Sequence, residues 1–214
     1  GCLMRALPRI VEDLRKERQA RRRMTLTVLG IWLVGLALAL LGIGPRADLS
    51  EANAYVVASI LLPAVVGFTA VLWTQGPYPR PEAWLRRYVP PAFALTAVLI
   101  LGIAGVPVRV YRSMNYWMCF WECLGATGLL TGLSAGVAFR HFAGVIRPTL
   151  WTRVGFVGGL AFLAMTVSQL CCGHPDAFHI TLSHLLPGLP AVLIAAWSAH
   201  RHRALWALPP QGRA

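Results

Sequence analysis

The chain has 214 residues, of which 57% are apolar and only 13% charged, and its mean hydropathy is +0.59. So few charges cannot clothe a water-soluble globule, in which about a quarter of residues are charged, and the length fits one membrane-embedded bundle rather than several domains. A formal net charge of +12 would suit nucleic acid, but the basic residues fall between apolar runs and no nucleic-acid motif or aromatic-studded basic surface is present, so no direct nucleic-acid partner is expected.

Residues 1–23 read as a basic arm. Leu3, Met4, Leu7, Ile10, Val11 and Leu14 recur at three- and four-residue spacing and make one helical apolar stripe. Eight basic residues, among them Arg15, Lys16, Arg18 and Arg21 to Arg23, face mainly the other way. Pro8 is expected to interrupt this stripe or to start a shorter helix. A basic stretch before an apolar one resembles a signal peptide, but the run is too long and Gly42-Ile43-Gly44-Pro45 is a poor cleavage site, so an uncleaved first helix is expected. The chain begins at Gly1 rather than Met, and residues are expected to precede it.

Six apolar runs follow, at 24–44, 53–74, 89–106, 117–138, 154–172 and 177–198. Each is near the roughly 20 residues a helix needs to cross a bilayer, and none alternates as a barrel strand does. The expected fold is all-α: a polytopic membrane protein with a six-helix domain over 24–198, a short amphipathic N-terminal helix and a tail over 199–214. Pro63, Pro187 and Pro190 predict kinks. Gly128, Gly132 and Gly136 recur every four residues in the fourth run and predict one closely packed face. Trp32, Trp84, Trp117, Trp151, Trp197 and Trp206 lie near run ends, as interfacial anchors do.

Seventeen of the twenty Lys and Arg fall in the arm, in 75–88, in 139–153 and in 199–214. That bias puts both termini in the cytoplasm, for a multi-pass protein of the bacterial inner membrane. The opposite side then gathers the residues most capable of chemistry. Cys119, Glu122 and Cys123 lie in the outer third of the fourth run. Gln169, Cys171 and Cys172 end the fifth. His174 and Asp176 lie in the turn, and His179 and His184 fall in the first two turns of the sixth. Intramembrane polar groups are read as confined to this outer third. A charge or imidazole in lipid is costly, which marks such residues as functional. Thiolate and imidazole are ligands for zinc, cadmium or copper, so a transient soft metal ion is the one cofactor these residues admit. Cysteines facing an oxidising compartment could instead pair, Cys119 or Cys123 with Cys171 or Cys172. Adjacent residues 171 and 172 point in different directions, so no more than one of them is expected to face the fourth helix. A packing reading stands beside these: cysteines in membrane helices serve as small apolar packers, and a histidine near a helix end bonds a carbonyl.

In layout the chain resembles the NrsF-type membrane anti-sigma factors. Six helices, cytosolic ends, a short arm, cysteine in the fourth helix and the turn Cys171-Cys172-Gly173-His174-Pro175-Asp176, followed by His179, His184 and Pro187, carry the resemblance. The family's turn has Cys and His in the other order. The resemblance implies a protein that holds an extracytoplasmic-function sigma factor at the membrane and releases it on a periplasmic-side signal, heavy metal or oxidative stress. The arm, through Leu3, Leu7, Ile10, Val11, Leu14, Arg15 and Arg18, would bind the sigma factor, and Cys119 and Cys172 would be the sensing thiols. The partners expected are thus a sigma factor and the lipid bilayer, without enzymatic activity.

Two other functions compete. A membrane thiol oxidoreductase passing electrons to quinone would use the four cysteines, although the spacing of Cys119 and Cys123 is not Cys-x-x-Cys. A metal-ion transporter would use the glycine-rich fourth and fifth helices but needs polar groups deeper in the membrane. A haem is disfavoured, since His179 and His184 share one helix.

Overall fold

The computed structural model describes residues 2–45, 54–75, 80–104, 116–144, 149–172 and 176–206, and their side chains except those of 2–10, 14, 104, 141–144 and 202–206. Among the described residues six helical stretches are long and apolar enough to cross a membrane, and there is no strand. Only a fold whose backbone polar groups are satisfied within each segment suits such apolar runs.

Helix α1 (Cys2–Gly42) joins the arm and the first span without a break. The interruption expected at Pro8 is absent: a proline this near the start costs one hydrogen bond to Met4, and the helical pattern continues on both sides. The helix ends where Ile43 and Gly44 both donate to the Ala39 carbonyl and Gly44 turns left-handed at φ +88°, followed by Pro45. Helices α2 (Ala54–Gln75), α3 (Glu82–Ala104), α4 (Tyr116–Gly144) and α5 (Leu150–Cys171) follow. Span three starts seven residues earlier than its apolar run at 89–106, because Arg86 and Arg87 lower the hydropathy there without disturbing the helix. Trp84 in this added turn stacks edge-on against Trp73 of α2, with ring centroids 4.4 Å apart.

The sixth span is not one uniform helix. A single α turn, α6 (Ala177–His179), passes into a π-helical stretch (Ile180–Leu185), a 3-10 turn (Leu186–Gly188) and then α7 (Leu189–Trp206). Pro187 cannot donate to the Ser183 carbonyl, nor Pro190 to that of Leu186. The ladder accommodates them by widening and then tightening: Leu186 donates five residues back to Thr181, and Leu189 three back to Leu186. The expected disturbance at these two prolines therefore takes the form of changed helical winding. Pro63 and the Pro90-Pro91 pair lie inside unbroken helices.

Helix α5 is the axis of the bundle and packs against α1, α2, α3, α4 and α7. Its closest neighbour is α2, at a glycine pair: a Cβ on Gly67 would lie 2.7 Å from the Gly159 carbonyl oxygen, and one on Gly159 would lie 2.8 Å from that of Gly67. The glycine face expected on α4 does not pack this way. Gly132 and Gly136 have nothing within 4 Å of a Cβ position, and Gly128 meets only Pro187 at 3.8 Å. Spacing alone marked a permissive face, whereas close approach requires small residues on both partners, as at Gly67 and Gly159.

Candidate functional site

Three helix ends converge at one end of the bundle. The first two turns of α4 carry Cys119 and Cys123, one helical turn apart and hence on one face. Helix α5 ends at Cys172, which leaves the helix in extended conformation while its N–H still reaches the Ser168 carbonyl at 2.8 Å. The sixth span begins under an aspartate cap: Asp176 Oδ1 accepts the His179 N–H at 2.8 Å, fixing the turn that carries the imidazole. His179 is also the last residue before the π-helical stretch, and its carbonyl accepts the Ser183 hydroxyl at 2.7 Å.

These elements place Cys119 Sγ 3.6 Å from Cys172 Sγ and 3.9 Å from Cys123 Sγ, and Cys172 Sγ 3.1 Å from His179 Nε2. The four ligand atoms all lie within 4.8 Å of one another, and all four residues are buried. Aromatic rings wall the imidazole: those of Tyr116 and Phe120 stand edge-to-face with it at 5.6 and 5.9 Å between centroids. Three thiols and an imidazole of this kind can hold a soft or borderline metal ion, or react with a thiol-directed oxidant. Among the described residues no disulfide joins Cys119, Cys123, Cys171 or Cys172.

Of the other expected site residues, those the structure describes are not among these four ligands. Cys171 points away from it into an apolar cluster with Ala39, Leu130, Ala164 and Val167, against which Ile43 also packs. The residue after it, Cys172, supplies the site, because consecutive positions at a helix end diverge by about 100°. His184 is fully buried with its ring 5.3 Å from that of His179, but it is not one of the four ligands. Glu122 is half-buried, and its Oε2 has no hydrogen-bond partner among the described residues. His174 lies outside the described residues. In the arm, Val11, Arg15 and Arg18 are exposed, while the side chains of Leu3, Leu7, Ile10 and Leu14 lie outside those described.

Buried polar groups are not confined to this end. Below the thiols, α4 carries Thr127, Thr131 and Ser134, each fully buried. The Thr127 and Ser168 hydroxyls share a hydrogen bond at 2.5 Å. Thr131 Oγ1 and Ser134 Oγ have no hydrogen-bond partner among the described residues. Elsewhere in the bundle buried hydroxyls bond back to a carbonyl on their own helix, as Ser59, Thr74 and Thr96 do. At the far end Arg153, counted in the sequence as a loop cation, is 3% exposed on α5 and donates to Ser198 Oγ of α7 at 2.9 Å. The signal for the hydroxyl file was present in the sequence: positions 119, 123, 127 and 131 recur every four residues and are all Cys or Thr.

No protein family, curated protein or solved structure matches this chain.

Proposed function

We propose that this protein is a membrane-bound regulator, an anti-sigma factor whose thiol and imidazole cluster receives a periplasmic-side signal and whose α1 arm retains an extracytoplasmic-function sigma factor in the cytoplasm. The observation that carries the reading is the convergence of Cys119, Cys123, Cys172 and His179 within 4.8 Å at one end of the bundle. The regulated surface would be the basic arm, which carries eight of the twenty Lys and Arg. A burial this complete suits a receiver of small thiol-directed signals rather than a site turning over a bulky substrate.

A route between the two ends supports the reading. Cys172 belongs to the cluster, and its neighbour Cys171 packs with Ala39 of α1. Any shift of the α5 terminus on signal binding is therefore felt by the helix that ends in the arm. The π-helical stretch directly after His179 is a second responsive element, since π turns are locally less stable and cluster at functional positions.

The test is retention. The full chain in native membranes should bring down a sigma factor of this class, and brief exposure to a thiol-directed metal or oxidant should release it. A Cys119→Ala, Cys172→Ala double variant should retain it throughout. Absence of any retained sigma factor with an intact arm sinks the proposal. Orientation has its own check: a cysteine introduced as Arg80→Cys, in a background lacking native cysteines, should label only after the membrane is opened.

The hydroxyl file favours one alternative, metal-ion passage, because Thr131 and Ser134 extend the polar line deeper than the outer third. Metal flux in proteoliposomes above that of protein-free vesicles, abolished by Thr131→Val, would establish it.

A further inference from the structure

The regulatory reading leaves the signal as either a metal or an oxidant, and the geometry separates the two. We infer that the cluster is a single tetrahedral Cys3His site for a divalent ion of the zinc group, zinc or cadmium, with Cys119, Cys123, Cys172 and His179 as its four ligands. The inference rests on the proposed function only for its physiological meaning.

The distances carry it. Zinc bonds thiolate sulfur at about 2.3 Å and imidazole nitrogen at about 2.05 Å in tetrahedral sites, which sets ligand–ligand edges of about 3.8 Å for S–S and about 3.6 Å for S–N. The cluster has S–S edges of 3.6 and 3.9 Å and an S–N edge of 3.1 Å, and no edge exceeds 4.8 Å. Shifts of about an ångström or less bring every edge to the ideal, within the reach of side-chain rotation. The ligand set also closes the coordination sphere. Four protein donors, all buried, leave no position for water, the pattern of sites that hold a metal rather than use it for hydrolysis. Three sulfurs exclude magnesium, calcium and manganese, which take oxygen ligands.

An oxidant accounts for less of the site. A disulfide would use two of the three thiols and would leave unexplained why a third thiol and an imidazole nitrogen share the same centre. It would also need the Cys119–Cys172 sulfurs to close from 3.6 Å to about 2.05 Å.

The divalent ion forms three metal–sulfur bonds and one metal–nitrogen bond, and the three thiol protons leave to solvent. Cys171, a candidate alongside Cys172 in the sequence, packs against Ala39 and takes no part.

Cobalt(II) is the probe, because its visible spectrum reports coordination geometry. Full-length protein in nanodiscs, stripped with chelator, should bind one cobalt per chain, with intense visible bands of tetrahedral geometry and a sulfur-to-cobalt charge-transfer band. Cadmium should displace it stoichiometrically. Cys171→Ser should bind as the wild type does. Cys172→Ser should lose most of the charge-transfer intensity, and His179→Ala should keep the sulfur bands while weakening affinity at least tenfold. Weak bands of octahedral cobalt in the wild type overturn the inference before any variant is made, so a variant that fails to fold does not protect it. Equal losses in Cys171→Ser and Cys172→Ser overturn it too. The two proposals fail separately: a tetrahedral site in a protein that retains no sigma factor removes the regulator and keeps the metal. A regulator that responds to peroxide but gives no tetrahedral cobalt spectrum does the reverse.

Discussion

Helices α1 and α5 look alike as apolar runs but play opposite parts. The apolar stretch of α1 is the more hydrophobic of the two, yet only 17% of it is buried within the protein, against 72% for α5. Leu33, Val34, Leu38 and Leu41 of α1 are exposed, whereas Phe156, Val157, Leu160, Ala164 and Met165 of α5 are sealed. In water the greasier segment would be the inner one. In a bilayer lipid is as apolar as leucine, so burial goes instead to the segment whose small and polar side chains have more to gain from protein neighbours. Helix α5 has Gly155, Gly158 and Gly159 for close packing, and Arg153, Ser168 and Gln169 that lipid would not accept.

That contrast can be broken by substitution. The largest effect is expected for Gly159→Val: its Cβ would meet the Gly67 carbonyl at 2.8 Å, a backbone atom that cannot rotate away. A loss of about 3 kcal/mol or more is expected, read as earlier unfolding in a denaturing-detergent titration. Next comes Ser198→Ala, which takes an acceptor from the buried Arg153 guanidinium. About 2 kcal/mol should be lost, as for other hydrogen bonds to charged groups. A double-mutant cycle of Thr127→Val and Ser168→Ala should then show a coupling of about 0.6 to 1.7 kcal/mol, the range for hydrogen bonds between membrane helices. At the small end, Gly30→Val on α1, where nothing lies within 4 Å of the new Cβ, should change stability by less than about 0.5 kcal/mol. Equal costs at Gly30 and Gly159 would mean that α1 is packed against a partner rather than lipid.

Hydropathy and the requirement of about twenty residues per crossing make the six apolar helices readable in the sequence, and their order shows which segments share an end. The boundaries were less legible where charge and helix geometry diverge, as at Arg86 and Arg87, which sit in α3 although they precede its apolar run. The site was half legible. Residue type and depth pointed to Cys119, Cys123, Cys172 and His179, and to His174, which lies outside the described residues, but the same criteria admitted Cys171, Glu122 and His184. Only rotation about the helix axes sorts them, and that depends on how α5 meets α1 and α4. The buried Arg153 escaped because a cation beside Trp151 at a run's edge reads as a topology signal, whereas its burial and its bond to the Ser198 hydroxyl show otherwise.

The unbroken course of α1 has a mechanical consequence. Forty-one residues make a rod about 60 Å long, of which the segment before Met24 projects about 33 Å beyond the apolar stretch. A stiff projection of that length works as a lever, and a tilt of about 5° in the span swings its tip by about 3 Å. Motion too slight to disturb the bundle's packing is thereby magnified into a much larger displacement at the far tip of the rod.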